Sequence, residues 1–347
     1  MPLPWQREIW DQLISWRDRL PHALLLHGAR GIGKHRLAEA FAEFLLCESP
    51  RSGTACGECA GCLLLAADNH PDLRRLVPEA DRPEREEAEM EDAVPARESR
   101  TRKPSREILI DQVREIGEFL AVSSHRGGRR IVLLSPAEAL NGAAANALLK
   151  MLEEPPDGAV FVAVSDQLDA VLPTIRSRCV LVRLPAPRTD AALAWLREQA
   201  VEDAEARLAE AGGGPVGLEL EDDAGDVRSL DPALRDALLK LLTRGATLSA
   251  AEVATAVPKE VPVAESIRLF QRWGWDLLAE RQAARVRYYP GERRALTTLA
   301  RAAEPARLLD WLAGLAQSQA VSDHPLNARL VIENALLGYI DAMQPRR

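Results

Sequence analysis

Two stretches of the chain, Ile131 to Ser135 and Ala159 to Ser165, are almost uninterrupted apolar runs. A strand with one wet face alternates, so unbroken runs of this length predict parallel strands buried on both faces of a sheet. Between them Ala145, Leu148, Leu149 and Leu152 recur at helical spacing. Asn141 caps this predicted helix, Gly142 to Glu154, and Pro155-Pro156 stops it. A third apolar run, Cys179 to Leu184, follows Thr174-Ile175-Arg176-Ser177-Arg178. Nearer the N-terminus, Ile9, Leu13, Ile14 and Trp16 predict a helix, and Ala23 to His27 a strand that leads through glycines into a helix ending near Leu46. Ile108-Leu109-Ile110 predicts a further strand running into a helix. Past Leu184 and the Pro185-Ala186-Pro187 linker the strand pattern stops. Residues 190–211 predict one or two small helices, and Leu238 to Leu242, Ile267 to Leu278, Leu308 to Leu315 and Leu326 to Ile340 are amphipathic helical segments. Short connections between them predict a bundle. The fold class is therefore an α/β domain with a parallel sheet, followed by an all-helical part.

The first strand–helix junction carries chemistry. Gly28-Ala29-Arg30-Gly31-Ile32-Gly33-Lys34-His35 has the pattern of a phosphate loop, in which backbone amides at a helix start cradle phosphates and a lysine reaches them. Gly28, Gly33 and Lys34 are the candidate residues; a tight turn that merely needs glycine is the plain alternative. Where such loops end in a magnesium-binding hydroxyl, this one has His35. Where acidic residues should follow the 131–135 strand, it reads Ser135-Pro136-Ala137. Magnesium takes oxygen ligands, so ATP hydrolysis is not expected, and nucleotide binding is left open. An autonomous ATPase would have to use unconventional magnesium ligands such as Glu138 or Asp166.

Cys47, Cys56, Cys59 and Cys62 form a C-x8-C-x2-C-x2-C series. The spacing suits a closed tetrahedral thiolate site for structural zinc, with no open catalytic position. His70 is a competing ligand, although His70-Pro71-Asp72 also reads as the turn after the knuckle. Cys179 stands alone and is expected in the core.

Composition narrows the function classes. The 347 residues carry a formal charge of -8, and 47% are hydrophobic but only 4% aromatic. A chain this acidic lacks the broad basic footprint of an independent nucleic-acid binder. No apolar run reaches membrane-spanning length and no leader is visible, which implies the cytoplasm and no membrane partner. Residues 78–105, acidic and then basic, predict a disordered insertion whose basic half is where a local DNA contact would lie; Arg126, Arg129 and Arg130 around Gly127-Gly128 form a compact basic cluster that also reads as a surface turn. Arg268, Arg272, Trp273 and Trp275 suit either a core edge or an interface.

Asn146-Ala147-Leu148-Leu149-Lys150, Leu152-Glu153-Glu154-Pro155-Pro156 and Ser177-Arg178-Cys179 resemble the AAA+ subunits of bacterial clamp loaders, over roughly residues 5 to 340. The resemblance implies a P-loop AAA+ domain over 1–185 with its zinc knuckle at 47–62, a helical lid over 186–228 and a helical collar over 229–347. It places Val216 where lid domains carry a sensor arginine after a glycine turn. Asn327-Ala328-Arg329-Leu330 with Glu333-Asn334 resembles the family's closing helix. It further implies a non-hydrolysing subunit, with no catalytic site of its own, that offers Arg178 as an arginine finger to a neighbour's ATP. Such fingers are worth ~10³ or more in rate. Arg176 is the second candidate. The partners implied are the ATPase subunits (gamma/tau) and the delta subunit of a DNA polymerase III clamp loader, with the sliding clamp and primed DNA reached through the complex. Any DNA-directed DNA polymerase (nucleotidyltransferase) activity would belong to that complex. Two other readings stay open: an autonomous AAA+ ATPase using Lys34, and a DNA-binding module built on the zinc knuckle.

Overall fold

The computed structural model describes residues 1–82, 104–122, 128–218, 230–258, 261–320 and 328–344. Most of the expected insertion, Arg126 of the basic cluster, and Leu326-Asn327 lie outside the described residues. The chain divides into two compact units, Met1–Ala191 and Ala192–Arg347.

In the first unit five parallel strands stand in the order β2-β3-β4-β1-β5. They are β1 (Ala23–His27), β2 (Leu73–Leu76), β3 (Arg130–Leu134), β4 (Ala159–Ser165) and β5 (Val180–Arg183). Every residue of β3 and β4 is buried, as their unbroken apolar runs require. Alternate side chains of a strand point to opposite faces, which sorts the core into two layers. On one face Leu24, Leu26, Ile131, Leu133, Val160 and Val162 meet Leu37, Phe41 and Leu45 of α2 (Lys34–Leu46), with Trp10 and Leu13 of α1 (Arg7–Ser15) behind. On the other, Leu25, Val132, Phe161 and Ala163 meet Val113 and Ile116 of the helix Ile110–Ala121 and Ala145, Leu148 and Leu152 of the helix Gly142–Glu153. We number the helices in chain order, so with Ala60–Ala66 as α3 these two are α4 and α5, and Pro173–Arg176 is α6.

Asn141 begins α5 as expected: its side-chain oxygen accepts the Ala144 N–H at 2.8 Å. Asn141→Ala should cost about 1 kcal/mol, read as a midpoint lower by about 2–4 °C in thermal unfolding of the full chain. An unchanged midpoint would mean that water replaces the cap without loss.

Two expectations need correction, and one strand was missed. The strand expected at Ile108-Leu109-Ile110 is a single bridge between Ile108 and Leu140. Leu109 is already the N-cap of α4, its N–H held by the Gln112 side chain at 2.8 Å, so the helix takes over after one residue. Strand β2 was not foreseen. Its sequence, Leu-Arg-Arg-Leu, buries only its two ends, at an edge of the sheet, and Arg75 is held by Glu39 and Asp68. Finally, Arg130 is no surface cation. It is 6% exposed and donates to the carbonyls of Phe119, Leu120, Val122 and Asp157, a positive charge set against the carbonyl end of α4. Its neighbour Arg129 donates to the Arg17 carbonyl.

The second unit is helical among its described residues. Thr189–Glu198 (α7) runs into it, followed by α8 (Ala204–Glu210), α9 (Pro232–Thr243), α10 (Ala250–Ala256), α11 (Val263–Ala283), α12 (Arg293–Ala302), α13 (Pro305–Ala320) and α14 (Ala328–Met343). The segment expected as collar, 229–347, falls within it, whereas the expected lid, 186–228, begins in the first unit, which runs to Ala191; the boundary expected between lid and collar lies outside the described residues. Trp273 is fully buried and donates to Tyr339, whose hydroxyl donates to the Leu242 carbonyl, so one polar chain inside the apolar core ties α11, α14 and α9. Trp275, two residues on, is 53% exposed. Among the described residues no helix is long and apolar enough to cross a membrane.

Candidate functional site

The glycine turn after β1 is built tightly. A side chain at Gly28 would meet the Leu184 carbonyl oxygen at 2.5 Å, and Gly33 adopts φ +84° as the N-cap of α2. The N-terminal segment closes on the same turn: Gln6 donates to the carbonyls of Ile32 and Gly33, and the Trp5 indole to that of Ile32. Lys34 is only 3% exposed. Its ammonium donates to the carbonyls of Gly28 at 3.0 Å and Ala29 at 2.5 Å, and pairs with Asp166 at 2.5 Å. An ammonium has three N–H donors, so these partners use them all, and a phosphate would have to displace Asp166.

The sheet explains this pairing. His27 lies in register with Ser165, so Gly28 and Asp166 emerge side by side from β1 and β4. The Asp166 N–H is in turn held by Glu138 at 2.9 Å, so both proposed stand-in magnesium ligands are engaged around Lys34. His35, in place of the hydroxyl, is half exposed and lies 3.5 Å from Glu39. Ser135 follows β3 without a carboxylate. Val216, in the second unit, sits half-buried in a turn.

Arg178 lies at the other end of the strands. It precedes β5, which runs parallel to β1 with Leu24 beside Val180 and His27 beside Arg183. The phosphate turn follows the far end of β1, which leaves roughly 13 Å of strand between the two positions. Arg178 therefore serves nothing in its own turn. Its side chain is one-third exposed; it donates to the Thr174 carbonyl at 2.9 Å and to the Ser177 hydroxyl at 3.3 Å, and pairs with Glu153. Arg176 faces the fully exposed Asp169 at 3.4 Å. Cys179 is partly buried beside the core, where burial pushes its thiol up to about 11.

The four remaining cysteines converge. Their sulfurs all lie within 4.8 Å of one another, with Cys47–Cys59 and Cys56–Cys62 at 3.9 Å. A disulfide would need about 2.05 Å, whereas tetrahedral metal–sulfur bonds of about 2.3 Å give edges of roughly 3.8 Å. The set fits a four-coordinate thiophilic metal. Backbone N–H groups of Cys56, Cys59 and Cys62 point at the sulfurs of Cys47, Cys56 and Cys59 at 3.2–3.4 Å, the kind of outer hydrogen bond that orients thiolate ligands. Gly61 is needed here, because a side chain would reach 2.8 Å from the Leu46 carbonyl. Burial pushes the Cys62 thiol up to about 12, while the Glu58 N–H, the Ser49 hydroxyl and the Cys59 N–H bring Cys56 down to about 6. His70 is buried outside this set; its Nδ1 accepts the Asp72 N–H at 3.1 Å, which is the turn expected there.

Comparison with known proteins places these features in a family. The profile described as DNA polymerase III, delta subunit matches residues 5–188. DNA polymerase III subunit delta prime of Pseudomonas aeruginosa is 45% identical over 217 residues, 61% of this chain and 59% of that protein. The subunit of the same name from Escherichia coli is 34% identical over 208 residues, 59% of this chain and 55% of that protein. The matched region thus spans little more than half the length of these relatives. Among solved structures, a DNA polymerase III gamma subunit-related protein from Thermotoga maritima aligns with a TM-score of 0.48 at 18% identity, covering 96% of this chain and 99% of that one.

Proposed function

The chain belongs to the DNA polymerase III delta subunit family, in its delta prime branch, and from that membership we propose that it is a non-hydrolysing stator of a clamp loader. In this role it sits beside an ATP-hydrolysing subunit, offers Arg178 to that neighbour's ATP and helps the assembly load a sliding clamp on primed DNA. The observation that carries the reading is the division of labour along the sheet. At one end Lys34 is spent on Asp166 and two carbonyls; at the other Arg178 stands partly exposed before the edge strand β5, away from the phosphate turn of its own chain. An arginine delivered in trans stabilises the charge of the transferring phosphoryl group.

The other roles follow from the same premise. The partners are gamma/tau ATPase subunits and a delta subunit; the segments 186–228 and 229–347 act as lid and collar. The four-cysteine site holds zinc, whose preference for closed tetrahedral thiolate sets matches this geometry. When bound, zinc supplies cross-linking of the knuckle and no catalysis; Cys47 anchors it to the end of α2 and Cys62 to α3.

The full chain incubated with ATP and magnesium is expected to show no turnover above background. Mixed with clamp-loader ATPase subunits, clamp and primed DNA, it should support stimulated hydrolysis. Turnover by the chain alone, lost on Lys34→Ala, would replace the stator with an autonomous ATPase.

A further inference from the structure

We propose that Glu153 is a latch for Arg178, holding the guanidinium aside until a neighbour's nucleotide draws it away. The inference rests on the reading of Arg178 as a finger and assigns its regulation.

The first observation is where Glu153 sits. It is the last residue of α5, stopped there by Pro155-Pro156. Carboxylates are disfavoured at the negative end of a helix, and Lys150 is the cation of that last turn. A helix selected for stability would place a lysine or arginine at this position. Glu153 instead faces Arg178, which comes to it from a separate segment 25 residues later.

The second observation is which nitrogen it holds. A guanidinium offers five N–H groups, and three are engaged here: two on Nη1, by Thr174 and Ser177, and one on Nη2, by Glu153. A phosphate gripped by two parallel N–H groups takes either Nη1 with Nη2 or Nε with Nη2. Both edges include the nitrogen that Glu153 holds. Nη2 carries one N–H on each edge and Glu153 holds one of the two, so a phosphate that grips that edge must displace the carboxylate, and one that grips the other meets a guanidinium whose charge is already paired.

The third is that the grip is weak enough to release. The two side chains are 33% and 49% exposed, and surface ion pairs of this kind shift an equilibrium by no more than about five-fold. A nucleotide phosphate, more highly charged than one carboxylate, displaces it; an empty neighbouring site leaves it closed.

The test is a double-mutant cycle in the reconstituted clamp loader, with hydrolysis measured without and with primed DNA. Glu153→Gln keeps size and removes charge. It should raise the rate without DNA by up to about five-fold and leave the fully stimulated rate unchanged. In an Arg178→Ala background the same substitution should do nothing, because there is no guanidinium to release. A parallel fall of both rates, no change in either, or an effect that persists without Arg178 would each overturn the latch and mark Glu153 as structural. If Arg178→Ala alone leaves hydrolysis undiminished, the finger reading falls and the latch with it; Glu153→Gln failing while Arg178→Ala succeeds would remove the latch only.

Discussion

Arg178→Ala should lower ATP hydrolysis at the neighbouring subunit's facing site by about 10³-fold while leaving the full chain folded and assembled. The size follows from what a finger does. It adds a positive charge and paired N–H donors to a phosphoryl group whose charge is spread over its oxygens, in a site from which water is excluded. Folding is spared because the guanidinium is partly exposed and its partners are a carbonyl, a hydroxyl and a half-exposed carboxylate, all of which water can serve. The remaining ATPase sites of the assembly keep turning over, so the readout must isolate one site, by single-turnover kinetics or by disabling the others. Arg178→Lys should recover only part of the rate, since an ammonium keeps the charge but not the planar fork. Arg176→Ala should change little, because Arg176 faces Asp169 on the surface. An Arg178→Ala assembly with full DNA-stimulated hydrolysis at that site would refute the assignment.

The pairings behind this prediction were only half legible in the sequence. Strands β1 and β4 were readable to the residue, because a sheet buried on both faces writes itself as a run of apolar residues, and Asn141 announced its own cap. The cysteine set was readable because its ligands lie close in sequence. What a local pattern cannot show is a partner brought in by register. Lys34 was visible as a phosphate-loop lysine, but its commitment to Asp166 comes from β1 lying beside β4. Arg130 looked like part of a basic turn, and only the approach of α4's last carbonyls makes it an interior residue. For Glu153 a signal was present: an acid in the last turn of a helix before two prolines breaks the rule for helix ends. Such local violations point to a partner elsewhere or to function.

Removing the zinc proposed for the cysteine site should have the largest effect on structure. Structural zinc contributes about 10–16 kcal/mol of binding free energy in zinc-finger peptides at neutral pH, and the knuckle's other ties here are few: the Arg51–Thr54 backbone pair, the Trp10 indole on the Gly53 carbonyl and Leu65 against the core. Leu63 is exposed, and Cys47 and Cys62 are the buried members of the cluster. The Cys62→Ser chain, or the native chain treated with a strong chelator, should lose its one metal equivalent, with hydrogen exchange rising sharply over 47–69. The loss should spread to β2, since Arg75 is anchored by Asp68 at the knuckle's end, but not to the second unit, whose core is built from its own helices. Cys179→Ser, outside the cluster, should keep the metal and serves as the control. The pH dependence has a definite sign. In the metal-stripped protein Cys62 holds its proton up to about 12, while Cys56 gives its own up near 6. Binding must therefore expel thiol protons, and affinity should fall as pH falls. A Cys62→Ser chain with full metal content would remove Cys62 from the ligand set, and a native chain that holds no metal, or whose exchange over 47–69 is unchanged by chelation, would mean that the four sulfurs converge for packing alone.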